Sequence, residues 1–414
     1  MNKSIQSMPE YEFGKKILGP FFSEFCRRLW LYHEVYAEQN AVALFCARGG
    51  IRLRILYERF LEKMEIPLPV SCRYFMISRL LASKVCFPNS PELVLANLRR
   101  EFFNTNIATL AKAFLPKQAK NIETTIKPFE KTAVNLKSVN DLFFGKGELT
   151  LMIRSHIKEQ TQLFKSYLIQ LTGENKIILL VDSGLFGSTQ MLLSHAYYDK
   201  VWFGHYVARS NYRKDHAPHF PMSVGIILEH DFFTPRIPET ALLKYWHLIE
   251  ATLEPQVKTV EYLEQSNDGT IVSNLQTENW VASLAPKDNS CFSGILSYFD
   301  TLDSNNLQQV RTHYEKAIRK ISNKIQAPSK LDLLSMSIGC SRSHDFGRKG
   351  TTSILHNYKS PNLITQLKQI HHSLWPEGQL VNYYGKVGTL FLKILLFIRL
   401  FRSHIAFLRI SFRQ

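Results

Sequence analysis

Two short segments carry residue types that could hold an anion. Arg48-Gly49-Gly50 follows the apolar run 41–46, and Asp182-Ser183-Gly184-Leu185-Phe186-Gly187-Ser188-Thr189 follows the apolar run 177–181. Arg48 offers a cation, and Gly49 and Gly50 let a ligand come close to backbone N–H groups. In the second segment Ser183, Gly184, Gly187, Ser188 and Thr189 could cradle a phosphate at the start of a helix, where unpaired N–H groups favour negative charge. Asp182 could bind a sugar hydroxyl or a Mg²⁺, and Arg79 supplies a second cation. The two segments are expected to form two walls of one phosphate or sugar-phosphate pocket. Each turn alone also reads as a tight connection, with Ser188 or Thr189 as a helix N-cap.

Other chemistry-bearing residues are less specific. His205, His216, His219 and His230 lie near Asp215 and Asp231, but their spacing matches no zinc signature and ordinary loop or strand-edge histidines explain them better. Arg209, Arg213 and Lys214 follow a strand pattern and could hold a phosphate. Glu250, four residues after Trp246, could act as a general base. Arg342, His344, Asp345, Arg348 and Lys349 cluster in a glycine-bearing segment, 341–350, that could fold over an anionic substrate.

The elements that must position these groups alternate. Strand patterns at 41–46, 70–77, 177–181 and 200–208 are separated by glycine turns and helical patterns, including 51–64 and the long amphipathic 149–172. This order predicts an α/β fold with a mainly parallel, Rossmann-like sheet. A basic helical insertion is expected at about 88–148, within an α/β phosphate-binding domain over 1–265. A mixed, mostly helical region over 266–385 and a basic amphipathic tail helix over 386–414 complete the chain.

The 414 residues are 45% hydrophobic and 21% charged, which excludes a mostly disordered chain. A net charge of +16 allows nucleic acid, an anionic membrane surface or a phosphorylated ligand as partner. No nucleic-acid module is present and the tail interleaves arginine with bulky aliphatics, so nucleic acid is the least favoured. The tail has Lys386, Lys393, Arg399, Arg402, Arg409 and Arg413 and no acid, which suits a helix lying on anionic lipid; a helix packed on the body is the alternative. The six cysteines form no CxxC pair, and no secretory signal stands at the start, so a reduced cytoplasmic location, peripheral on the inner face of the membrane, is expected.

Ala43-Leu44-Phe45-Cys46-Ala47-Arg48-Gly49-Gly50, Tyr74-Phe75-Met76-Ile77-Ser78-Arg79 and Val181-Asp182-Ser183-Gly184-Leu185-Phe186-Gly187-Ser188-Thr189-Gln190 occur in that order. They resemble the "LARDG", "YVSRR" and "VDIGWSGTIQ" motifs in the C-terminal half of predicted haloacid-dehalogenase-type proteins of bacterial surface-polysaccharide gene clusters. The resemblance spans about residues 14–265, and Trp246-His247-Leu248-Ile249-Glu250 is similar to a further segment of that family. It implies a role in surface-glycan assembly. The dehalogenase half with its aspartate nucleophile has no counterpart here, which disfavours phosphatase chemistry. Gly49 also stands where that family has Asp. The same two turns are more loosely similar to the pyrophosphate and phosphoribosyl-pyrophosphate loops of purine phosphoribosyltransferases.

Three functions follow as expectations. The first is a transferase that binds a phosphorylated sugar or nucleotide-sugar, with Asp182 and Glu250 as catalytic candidates. A non-catalytic binding protein descended from such an enzyme is the second, and a phosphoribosyltransferase-like enzyme the third.

Overall fold

The computed structural model describes residues 8–118, 122–255, 257–276, 290–338, 341–343 and 351–411. Its centre is a five-stranded sheet of β1 (Ala41–Cys46), β2 (Ser71–Phe75), β3 (Ile177–Asp182), β4 (Val201–Arg209) and β5 (Ser223–Glu229), in the order β2-β1-β3-β4-β5. Every adjacent pair is parallel. The fold is therefore the expected α/β with a parallel, Rossmann-like sheet. β1 and β3 are apolar along nearly their whole length because helices cover both faces. β5 has no counterpart among the strands expected from the sequence; its polar ends and Gly225 interrupt the apolar signal of Ile226, Ile227 and Leu228.

The helices that matter for the site are α1 (Gly19–Glu34), α2 (Gly49–Lys63), α3 (Arg79–Cys86), α4 (Pro91–Glu101), α5 (Glu148–Thr172), α6 (Ser188–Ala196) and α7 (His247–Leu253). α1 buries Phe21, Phe22, Phe25 and Leu29 on the sheet, the side that its spacing predicts. On the other face α3, α5 and α6 pack with the expected insertion, whose helices run from α4 through Leu136–Phe144 and close a second apolar cluster.

The C-terminal helices α8 (Leu307–Gln326), α9 (Leu363–His372) and α10 (Pro376–Ser411) follow. A single apolar cluster runs from Phe13 and α1 through β1 and β3 to α8, Trp375 and Leu392, so the core continues past the boundary expected at 265. Trp375 is fully buried, stacks on Tyr245 with ring centroids 4.5 Å apart and donates from Nε1 to the Ile325 carbonyl at 3.0 Å. A fully buried Trp contributes several kcal/mol, which ties the C-terminal part to the segment that carries α7. The expected loop near Ser266 is the turn of a hairpin between Leu263–Gln265 and Ile271–Ser273. Of the basic segment 341–350, Arg342 lies on a short strand, whereas His344, Asp345, Arg348 and Lys349 lie outside the described residues.

Candidate functional site

In a 2-1-3-4-5 sheet the connections from β1 and β3 leave in opposite directions, and a crevice opens beyond their carboxyl ends. There a cavity of about 370 Å³ is lined by Arg48, Gly49, Arg79, Glu250 and the whole turn from Asp182 to Thr189. The two turns thus share one cavity, as their residue types suggested. Gly50 does not line it. A Cβ there would lie 2.7 Å from the Phe45 carbonyl carbon and 3.0 Å from the Val181 oxygen, so Gly50 exists to seat α2 against β1 and β3.

The β3 turn has the less usual backbone of the two. Gly184 has φ +115° and Gly187 φ +72°, a region that side chains disfavour. A Cβ on Gly184 would meet the Ala208 carbonyl oxygen at 2.0 Å, because the turn runs beside the register shift in β4 near Val207 and is pinned there by Ala208 N–H to the Ser183 carbonyl. Gly187, and not Ser188 or Thr189, occupies the N-cap of α6, and no side chain caps that helix. Its first N–H groups belong to residues that line the cavity. Asp182 accepts from the Ser183 N–H through Oδ1 at 2.7 Å.

Below the turn, Gln190 donates to the carbonyls of Trp202 (2.8 Å) and Met222 (2.9 Å) and accepts from the Tyr206 hydroxyl at 2.8 Å. These bonds leave its side chain structural, and burial pushes the Tyr206 hydroxyl well above its usual range.

The β1 turn is tied down. Arg48 Nη2 lies 3.2 Å from Glu254 Oε2, and Arg52, one turn further, donates to the carbonyls of Thr252 and Glu254 at 3.1 Å. The segment after α7 is thereby held on the mouth of α2. Glu250 on α7 lines the same cavity, with Trp246 beside it, whose buried Nε1 has no hydrogen-bond partner.

The cations gather on the third side. Arg79 Nη1 lies 3.3 Å and Arg213 Nη2 3.5 Å from one oxygen of Glu101, at the end of α4. Arg100 sits beside them and pairs with Asp215 at 2.5 Å, so three guanidiniums share two carboxylates. Burial first and Arg213 second lower the Arg100 pKa from its ordinary value. Arg213 also lies over the rings of Phe186 and Tyr212, at 5.5 and 5.1 Å from their centroids. Both Arg79 and Arg213 line the cavity.

The remaining candidates separate. Arg209 is consumed by the carbonyls of Phe220 and Ser223 and by Glu229 at 3.2 Å, which makes it a clamp on β5. His205 is buried against the rings of Tyr32, His33 and Tyr36, and burial lowers its pKa to about 4, so it belongs to the core. His219 Nε2 donates to the Phe186 carbonyl at 2.6 Å and supports the β3 turn from beneath; burial lowers its pKa as well. Among the described residues no group of three His, Cys, Asp or Glu could hold a metal ion.

No protein-family model matches the chain. A search of curated proteins finds no significant relative either.

Four contributors carry no local mark in the sequence: Glu101, Tyr212, Trp246 as a lining residue, and Glu254. Tyr212 lines the cavity from the segment after β4 and Trp246 and Glu254 from the two ends of α7, whereas Glu101 acts from the end of α4 through Arg79 and Arg213.

Proposed function

We propose that this chain binds a phosphorylated sugar or nucleotide-sugar in the cavity beyond β1 and β3 and transfers its glycosyl or phosphoryl-linked group, in the cytoplasm, during assembly of a bacterial surface glycan. The observation that carries this reading is the convergence of Arg79, Arg213 and the uncapped start of α6 on one cavity behind the Gly184–Gly187 turn. A phosphate placed there would meet two guanidiniums and backbone N–H groups, the donor set that recognises phosphate elsewhere. Transfer of such a group depends mostly on positioning and on stabilising negative charge, which fixed donors supply.

Asp182 is suited to orient a sugar hydroxyl, and Glu250 across the cavity to accept a proton from an acceptor hydroxyl. A Mg²⁺ needs only one or two carboxylates when it arrives with substrate phosphates. Asp182 would be its protein ligand, and the metal would shield phosphate charge.

A second reading, binding without turnover, draws on Gly49. A Cβ there would lie 3.8 Å from Asp182 Oδ1, so an Asp at this position, as in the similar motif, would set a second carboxylate beside the first.

Titration calorimetry with uridine-diphosphate sugars and phosphoribosyl pyrophosphate tests the site. Binding should weaken about tenfold in Arg79→Gln and again in Arg213→Gln, as expected for a lost bond to a charged group. Unchanged affinity in both variants removes the cavity from consideration. Binding with no product by mass spectrometry favours the second reading.

A further inference from the structure

The last helix has two apolar faces. At Gly385, with φ 55° and ψ −130°, the backbone of α10 leaves the helical region and the helix restarts. Beyond it Leu392 is buried, Thr389 donates to the Pro328 carbonyl at 2.7 Å, and Gly388 packs on the Leu380 backbone. These residues dock the helix on the body.

On the other side Val387, Leu390, Phe391, Ile394, Phe397 and Phe401 are all exposed, Val387 by 72% and Phe397 by 69%. At roughly 100° per residue these six fall within an arc of about 120°. Lys386 and Lys393 border one edge of the arc and Arg402 the other, with Arg399, also exposed, further round the helix. No acid occurs after Glu377.

A neighbouring helix repeats the pattern. α9 is held to the start of α10 by the Tyr383 hydroxyl on Gln369 (2.8 Å) and the Tyr384 hydroxyl on Gln366 (2.5 Å). It exposes Leu363, Ile364 and Leu367, with Lys368 beside them. Among the described residues no helix is long and apolar enough to cross a membrane.

We propose that the outer face of α10, with the Leu363, Ile364 and Leu367 patch of α9, docks in the plane of an anionic lipid bilayer. Charge complementarity selects this occupant. A flat anionic surface takes an apolar stripe into its acyl boundary while the flanking cations reach phosphate headgroups. A helix of a second copy would bring the same unbalanced cations against these.

Co-sedimentation of the full chain with phosphatidylcholine vesicles, with and without phosphatidylglycerol, tests the idea. The protein should pellet with the anionic vesicles only. Neutralising two cations in Arg399→Gln/Arg402→Gln should lower the partition coefficient about thirtyfold. Phe397→Asp/Phe401→Asp should abolish binding, and Leu363→Asp/Leu367→Asp should weaken it. All these side chains are exposed, so the melting temperature should stay unchanged, which separates lost docking from lost folding. Equal pelleting of the Phe397→Asp/Phe401→Asp variant overturns the proposal. So does a dimer in vesicle-free solution that the same variant dissociates, because a second copy would then cover the face.

Discussion

The two turns that build the cavity look alike in sequence and do different work. After β1, Gly50 is pressed against the backbone of two strands and Arg48 is held by Glu254. After β3, Gly184 and Gly187 take positive φ, and the helix behind them starts without a side-chain cap. One turn is held by an ion pair and a helical backbone, the other by positive φ and a close approach to β4. Gly50 and Gly184 are both pressed on a neighbouring strand, but only Gly184 and Gly187 also need a backbone that side chains disfavour, so the two turns differ in conformation more than in crowding.

Substitutions can break this contrast. Gly184→Ala combines a positive φ with an overlap on Ala208 and should cost on the order of 3 kcal/mol or more in chemical denaturation. A cost under 1 kcal/mol would mean that the β3 turn adapts freely. Gly50→Ala keeps a helical backbone but drives a methyl into Phe45 and Val181, and should cost about 2 kcal/mol. If instead it spared stability and abolished ligand affinity, Gly50 would belong to the ligand site.

Lys84 on α3 offers a control that separates scaffold from site. It is fully buried, donates to the Glu261 carbonyl at 2.8 Å and lies 3.2 Å from His156 Nε2; burial lowers its pKa from 10.5 to about 7. The unfolded chain then holds this proton up to about pH 10.5 and the folded chain only to about 7, so stability rises with pH across that window and the full penalty acts below it. Lys84→Met should raise stability at pH 7 by about 2 kcal/mol after its two lost bonds, flatten the rise towards pH 10 and leave ligand affinity unchanged. A loss of stability at pH 7 would refute the burial penalty.

The smallest effect belongs to Gly49→Ala. Its methyl would meet Ser183 Oγ, Asp182 Oδ1 and Leu253 at 3.6–3.8 Å, ordinary contact distances. Stability should stay within about 0.5 kcal/mol in thermal melts, with a small gain from helix propensity. A change in affinity at constant stability would mark Gly49 as the ligand-facing glycine of its turn.

What the sequence discloses follows from range. β1 and β3 are legible because a central strand covered on both faces needs an unbroken apolar run. A shared strand direction puts both turns at one edge of the sheet, but that β1 and β3 are neighbours, with β2 and the insertion between them in the chain, is seen only in the sheet order. β5 escapes because a strand of seven residues with a serine, a glycine and a glutamate leaves too short a run. His205 misleads because a histidine in a strand gives no sign that three aromatic rings surround it. Glu101 and Glu254 reach the site across gaps of 22 and 206 residues from Arg79 and Arg48, beyond any periodicity.

The carboxylate of Glu101 has a consequence for which anions the cavity admits. It already satisfies part of two guanidiniums, so under the proposed function the resting cluster would act as an ion exchanger loaded with its own counterion. An incoming group must carry more charge, or more acceptor oxygens, than one carboxylate to displace it. Chloride should therefore compete poorly and a phosphate monoester well, a ranking that competition calorimetry reads directly. On the proposed function, the site should sort anions by valence before it sorts them by shape.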